Sequence, residues 1–200
     1  MGIKKEPYIV QLIKKTGAVR EFTTKTISTC ILKKIIDAGI WGFSILGMQP
    51  WYFLLITDKG VIRNLHNIIL AKSKKYPRPF DAILALTAKS LASGAAIIAI
   101  YNKKTVSSRL AKYGRKYYKR AYIAELQTIG GAIQNMYLTA VSFGLGCVWV
   151  DSPTFFEKEI NKILGEDKEL LAFLFIGYPR SGIVTKRSPR TLDTNSIRKI

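Results

Sequence analysis

The sequence predicts a three-layer fold, with helices covering both faces of a mixed or parallel β-sheet, and three observations carry that expectation. Short continuous apolar runs recur at 51–57, 95–101, 147–150 and 170–178, with the length and β-prone composition of strands covered on both faces. The stretches between them place apolar residues at three- and four-residue spacing, the period of helices and not of hairpins. No internal repeat, low-complexity block or Pro/Gly/Ser linker divides the 200 residues, so a single domain over 1–200 is expected.

The elements follow in chain order. Residues 29–41 put Ile31, Leu32, Ile35, Ile36 and Ile40 on one face, behind Ser28 or Thr29 as N-cap, which predicts an amphipathic helix. After a glycine-bearing turn, WYFLLIT (51–57) is the first strand, and Asp58 then caps a helix carrying Val61, Ile62, Leu65, Ile68 and Ile69. AAIIAIY, ending at Tyr101, is the second strand, CVWV (147–150) the third and LLAFLFIGY (170–178) the fourth. Between the second and third, Ile123, Leu126, Ile129, Ile133, Met136, Tyr137, Ala140 and Val141 hold the helical period over about six turns. That length suits a central or interface helix. Gly130, Gly131 and Ala132 lie inside it, and glycine costs about 1 kcal/mol against alanine in a helix interior. Close packing, within the chain or between two chains, would offset that cost. Ser152 before Pro153 reads as an N-cap with proline at the first helical position, so a helix is expected toward Leu164.

Composition narrows the chemistry. Hydrophobic residues make up 48% and charged residues 22%, which suits a compact soluble chain. Asp81 and Lys89 interrupt the longest apolar candidate, so no membrane span is expected. The start, MGIKKEPYIVQLIKK, lacks the apolar block of a secretory signal, and a cytoplasmic location is expected. Cys30 and Cys147 are too few and too far apart for a disulfide framework or structural zinc, and the lone His66 reads as a helix-surface or packing histidine. The formal net charge of +19, from 32 Lys and Arg against 13 Asp and Glu, admits nucleic acid or a phosphate-bearing ligand as partner. Neither GxGxxG after a strand, GxxxxGK[ST] nor a GxSxG elbow is present, and GLG at 144–146 reads as a helix stop. Chemistry here is therefore expected to come from a cofactor.

Four segments, in order, resemble the nitroreductase family of FMN-dependent oxidoreductases. AVREF (18–22) is similar to the family's "RRSxRxF" segment, and WGFSILGMQPWYFLLITD (41–58) to its "APSxxNxQPWxFxVV" loop and strand. GGAIQNMYLTAVSFGLGCVWV (130–150) is similar to its "AxQNxxLAAxxxGLGxxW" helix and strand. FIGYP (175–179), followed by a basic tail with TKRSP, matches its last strand and Lys/Arg pair. The resemblance implies an α+β homodimer with FMN at the subunit interface and the long helix at that interface. It also implies ping-pong transfer of hydride from NADH or NADPH, through the flavin, to a small-molecule electron acceptor such as a nitro compound or quinone.

Position by position, the resemblance places Arg20 on the FMN phosphate, where a guanidinium offers paired charge-assisted hydrogen bonds. It places Ser44 and Gln49 on the ribityl chain and ring edge. Asp151 and Ser152 fall where backbone amides approach the reactive ring nitrogen, and Lys186 and Arg187 on the phosphate from the tail. No protein side chain is expected to act as a catalytic nucleophile. Departures stand beside these matches: Thr16 replaces an Arg, Ala18 a Ser, Phe43 a Pro and Gly47 an Asn. Each lost hydrogen bond to a charged group costs about 1.5–3 kcal/mol, which weakens the phosphate site unless Lys14, Lys15 or the tail compensates.

Residues 103–120, KKTVSSRLAKYGRKYYKR, form a basic stretch with no acidic residue between Asp81 and Glu125, and tyrosines interleave with its cations. The plain expectation is a solvated helical excursion over about 102–121. In relatives this variable stretch overhangs the active site, which favours substrate gating over nucleic acid. The competing reading is a flavin-fold protein with a weakened or lost FMN site that works as an anion or nucleic-acid binding module. Residues 180–200 form a C-terminal extension.

Overall fold

The computed structural model describes residues 6–93 and 96–180. In chain order the elements are α1 (Tyr8–Lys15), α2 (Thr29–Ile40), a 3-10 turn (Ile45–Gly47), β1 (Trp51–Ile56), α3 (Lys59–Ser73), α4 (Phe80–Ala92) and β2 (Ala96–Asn102). There follow α5 (Thr105–Leu110), a 3-10 turn (Ala111–Tyr113), α6 (Arg115–Ser142), β3 (Gly146–Val150), a 3-10 turn (Ser152–Phe156), α7 (Glu157–Leu164) and β4 (Glu169–Gly177). Two helix starts are fixed by the predicted caps. Ser28 Oγ accepts the Ile31 N–H at 3.4 Å and Asp58 Oδ1 the Val61 N–H at 2.8 Å, each satisfying a donor the helix itself leaves open.

The four strands form one sheet in the order β1-β2-β4-β3, and every pairing among them is antiparallel. Among the described residues the parallel component is the isolated bridge between Ala18 and Cys147 at the outer edge of β3. The expectation of parallel strands is corrected for this body of the sheet, and the connection between β1 and β2 explains why. Two helices join them, not one. His66 on α3 reaches the Ala88 carbonyl on α4 at 2.8 Å, and Lys59 and Ile62 share a cavity with Leu91 and Ala92. The helices are thus antiparallel, and the second returns the chain so that β2 enters reversed. His66 is the packing histidine the sequence suggested.

The three layers are as expected. Ile97, Ala99, Tyr101, Phe173 and Phe175 pack with Leu65, Ile69, Leu84, Leu91, Phe156 and Ile160 on the α3/α4/α7 side. Ile98, Ile100, Ala172, Leu174 and Ile176 pack with Leu32, Ile35, Ile129, Ile133 and Met136 on the α2/α6 side. This period-two division of β2 and β4 requires both faces to be apolar, which is why their sequences run without a break. β1 is an edge strand, and its four central residues are only half-buried.

α6 begins well before the periodic residues, at Arg115, and continues unbroken through Gly130 and Gly131. Its buried positions include Ala132, Ile133, Met136 and Ala140, while Ile123 is exposed. The small residues split in role. A Cβ on Gly42 would sit 3.2 Å from the Ala132 backbone, and one on Gly39 would sit 2.8 Å from Met136 Cγ. That contact lets the end of α2 meet α6 closely within the chain. A Cβ on Gly131 would meet nothing within 4 Å.

Ser152 is not a helix cap. Its hydroxyl lies 2.7 Å from Thr87 Oγ1, buried between layers, and the segment from Ser152 makes a 3-10 turn before α7 starts at Glu157. Among the described residues no helix is long and apolar enough to cross a membrane.

Candidate functional site

The loop between α2 and β1 turns through three residues with positive φ, namely Leu46 (50°), Gly47 (67°) and Gln49 (45°). Glycine adopts this region freely, whereas Leu46 and Gln49 hold it at a cost that surrounding contacts must offset. Ser44 Oγ accepts the Gln49 N–H at 2.8 Å, Thr128 Oγ1 on α6 accepts the Ile45 N–H at 3.3 Å, and Pro50 O accepts the Lys103 N–H at 2.8 Å. Ser44 thus shapes the loop from within. Gln49 is exposed, and its side chain makes no hydrogen bond among the described residues.

The second group lies along the far edge of the sheet. Residues 17–23 extend it: the Val19 N–H donates to Cys147 O at 2.8 Å, Phe22 bridges Pro179, and the Thr23 N–H donates to Tyr178 O at 2.8 Å. Tyr137 Oη on α6 donates to Gly17 O at 2.7 Å and lies 3.1 Å from Cys147 O, tying this segment to helix and strand together. Gly146 makes the approach feasible, since a Cβ there would come within 2.7 Å of Val19. On this segment Arg20 is exposed and faces no carboxylate partner among the described residues, while its neighbour Glu21 takes Lys89 at 2.6 Å. That bond holds the Glu21 carboxyl below its ordinary value.

The departures noted in the sequence have visible outcomes. Thr16 is buried and its hydroxyl donates to Ile13 O at 2.7 Å, so it serves the end of α1. Ala18 brings no polar atom. Lys14 pairs with Glu6, and Lys15 is exposed beside it.

Trp149 lies on the α6 side of β3 with 43% of its surface exposed, its ring tip 3.9 Å from where a Gly130 Cβ would stand. The ring thus lies against Gly130, beside the open Cβ position of Gly131. Asp151, just past β3, is exposed. Ser152 commits its hydroxyl to Thr87, which leaves its main chain as its contribution to this surface. Lys186 and Arg187 lie outside the described residues.

The two groups lie at opposite edges of the sheet. The loop bearing Ser44 and Gln49 enters β1, whereas Arg20 and Trp149 belong to the β3 edge, three strand spacings away or about 14 Å. Along α6 the anchors Thr128 and Tyr137 are likewise about 13 Å apart. Sequence reasoning missed both anchors, since a threonine and a tyrosine inside a helical period carry no signal of what they hold.

Among the described residues no group of three His, Cys, Asp or Glu is placed to hold a metal. Cys147 is fully buried and burial pushes its thiol up, which disfavours its thiolate, while the second cysteine, Cys30, is exposed on α2 away from the β3 edge. The described candidate residues are thus an exposed arginine, an exposed aspartate, uncharged polar groups and an apolar ring, a set suited to binding a ligand.

A family model described as "Nitroreductase family" matches residues 13–178. YfhC of Bacillus subtilis (strain 168), whose name assigns it provisionally as an NAD(P)H nitroreductase, is 23% identical over 186 residues, covering 89% of this chain and 88% of that one. A BluB-like flavoprotein of Clostridium difficile 630 superposes with a TM-score of 0.75 at 21% identity, covering 100% of this chain and 99% of that one. A nitroreductase with bound FMN from Desulfitobacterium hafniense DCB-2 gives a TM-score of 0.74 at 17% identity, covering 98% and 100%.

Proposed function

This chain belongs to the nitroreductase family, and we propose that it is a cytoplasmic, homodimeric, FMN-dependent oxidoreductase. It draws electrons from NADH or NADPH and passes them to a nitro compound, quinone or similar acceptor with ping-pong kinetics. The observation that carries this reading is the division of the site between opposite edges of the sheet. A second copy that seats its loop beside the β3 edge would bring both groups onto one ligand. The exposure of Trp41 (80%), Phe43 (82%) and Leu46 (79%), close together in sequence at this loop, supports it, because grouped exposed apolar side chains mark a surface that a partner covers.

The residues fit FMN. Arg20 pairs with the phosphate dianion and Lys15 supplies further positive charge, while Lys186 and Arg187 reach it from the tail. The Ser44 hydroxyl and the Gln49 amide meet the uncharged polar edge of the ring. Trp149, with Gly130 and Gly131, forms an apolar wall that excludes water from one side, and the main-chain amides of Asp151 and Ser152 place donors where negative charge develops. Bound FMN supplies the hydride-accepting centre that the protein's own side chains lack. The single domain spanning 1–200 belongs to this reading, with the phosphate site drawing on both ends of the chain.

An absorption spectrum of the purified protein, before and after adding FMN and then NADH or NADPH without oxygen, tests the proposal. A bound flavin band that bleaches with reductant is expected. A protein that takes up no FMN would refute it and favour the anion-binding module instead.

A further inference from the structure

The basic excursion is firmly built. As β2 ends, α5 is fastened to α6 by the buried Glu125 carboxylate, which accepts the Val106 N–H (2.7 Å), the Ser107 N–H (3.0 Å) and the Ser107 hydroxyl (2.7 Å). Its outer surface carries Arg109, Lys112, Lys116 and Arg120, all exposed and none ion-paired among the described residues. Glu169, on the adjoining strand β4, is engaged by Lys104 at 3.4 Å and by the Tyr122 hydroxyl at 2.9 Å. Tyr113 and Tyr117 stand 61% and 54% exposed with ring centres 6.2 Å apart, and Lys112 Nζ lies 5.0 Å from the Tyr113 ring.

This surface abuts the candidate site. Arg109 Nη1 lies 3.9 Å from Met48 Sδ, in the loop that carries Ser44 and Gln49. Tyr117 is eleven residues along α6 from Thr128, the anchor of that loop, so about 16 Å separates them, comparable to the reach of an extended dinucleotide. The two rings are inclined at 63°, so a planar base stacks on one of them and meets the edge of the other, while the neighbouring cations, none of them ion-paired among the described residues, can meet a phosphate it bears.

We infer that Lys112, Lys116 and the Tyr113/Tyr117 pair recognise the adenosine 2′-phosphate end of NADPH, making the phosphorylated nucleotide the preferred reductant. The inference rests on the oxidoreductase reading. The 2′-phosphomonoester carries charge that NADH lacks, so the cations discriminate between the two. The tyrosines hold the adenine they share.

Calorimetric titration of the full-length protein with adenosine 2′,5′-bisphosphate and with 5′-AMP tests this without turnover. The bisphosphate should bind at least about tenfold more tightly, as expected for hydrogen bonds to a charged group. The double variant Lys112→Gln/Lys116→Gln should lose that advantage while its FMN-binding spectrum is unchanged, and Tyr117→Ala should weaken both nucleotides alike. In turnover the double variant should lose kcat/KM for NADPH and not for NADH. Equal binding of the two nucleotides, discrimination that survives the double variant, or tighter binding of a twenty-residue oligothymidylate would each overturn the assignment. Binding of the bisphosphate by a protein that oxidises no NADPH would uphold the phosphate site and refute the oxidoreductase reading alone.

Discussion

On one side of the sheet α3, α4 and α7 close over the core and satisfy one another. Thr87 meets Ser152, His66 meets the Ala88 carbonyl, Lys72 pairs with Glu159, and Tyr76 packs edge-on against Phe155 and Phe156. On the other side α2 and α6 pack closely through Gly39, Gly42 and Ala132, yet the loop leaving α2 holds Trp41, Phe43 and Leu46 almost fully in water. α4 on the first side exposes Phe80, Ile83 and Leu86 too, but only by 43–48%. The first layer leaves its outer apolar residues about half covered, whereas the loop of the second leaves them nearly bare. The loop bearing Ser44 and Gln49 and the strand position of Trp149 belong to the second layer, so on the proposed reading assembly and function share this face.

The strongest way to break this contrast is to charge the exposed loop. Burying a large apolar side chain contributes about 1.5–3 kcal/mol, so Trp41→Glu with Phe43→Glu should weaken self-association by roughly a thousandfold, read as a monomer by sedimentation velocity. FMN binding should be lost with it. A comparable pair on the closed layer, Ile83→Glu with Leu86→Glu, should leave the oligomeric state unchanged.

Arg20→Ala should come next, lowering FMN affinity at least about tenfold by fluorescence titration with the circular dichroism spectrum intact. Unchanged affinity would remove Arg20 from the site. Gly146→Ala pushes a methyl group against Val19 and should destabilise the protein by about 1–3 kcal/mol in urea unfolding, loosening the segment that presents Arg20. The smallest effect belongs to the closed layer. Tyr101 Oη is buried without a hydrogen-bond partner among the described residues, so Tyr101→Phe should be neutral or stabilising by up to about 1 kcal/mol.

The sequence made the layers legible where one physical signal dominates. β2 and β4 are buried on both faces, so their runs are unbroken, and Ser28 and Asp58 cap as their positions suggest. α4 was not visible, because its buried face includes Thr87 and Ser90, whose polarity blurs the period; their hydroxyls are satisfied by Ile83 O, Ser152 and Leu86 O. Ser152 misled because the partner that takes its hydroxyl, Thr87, is 65 residues away. Strand direction was hidden because periodicity shows that helices intervene but not whether a pair of them reverses the chain. Arg20, Ser44 and Gln49 were legible only as members of a resemblance. That they sit at opposite edges follows from strand order, which no local pattern encodes.

The most direct test is complementation between two inactive chains. Arg20→Ala and Ser44→Ala/Gln49→Ala each damage one of the two groups, and a site built across two chains becomes whole again in a mixed dimer, which pairs an intact Arg20 with an intact loop. Co-expressed and purified together through two different tags, the mixed dimer should regain tight FMN binding that neither variant shows alone. A mixed dimer that binds FMN no better than its parents would show that each site is contained within one chain, contradicting the shared site.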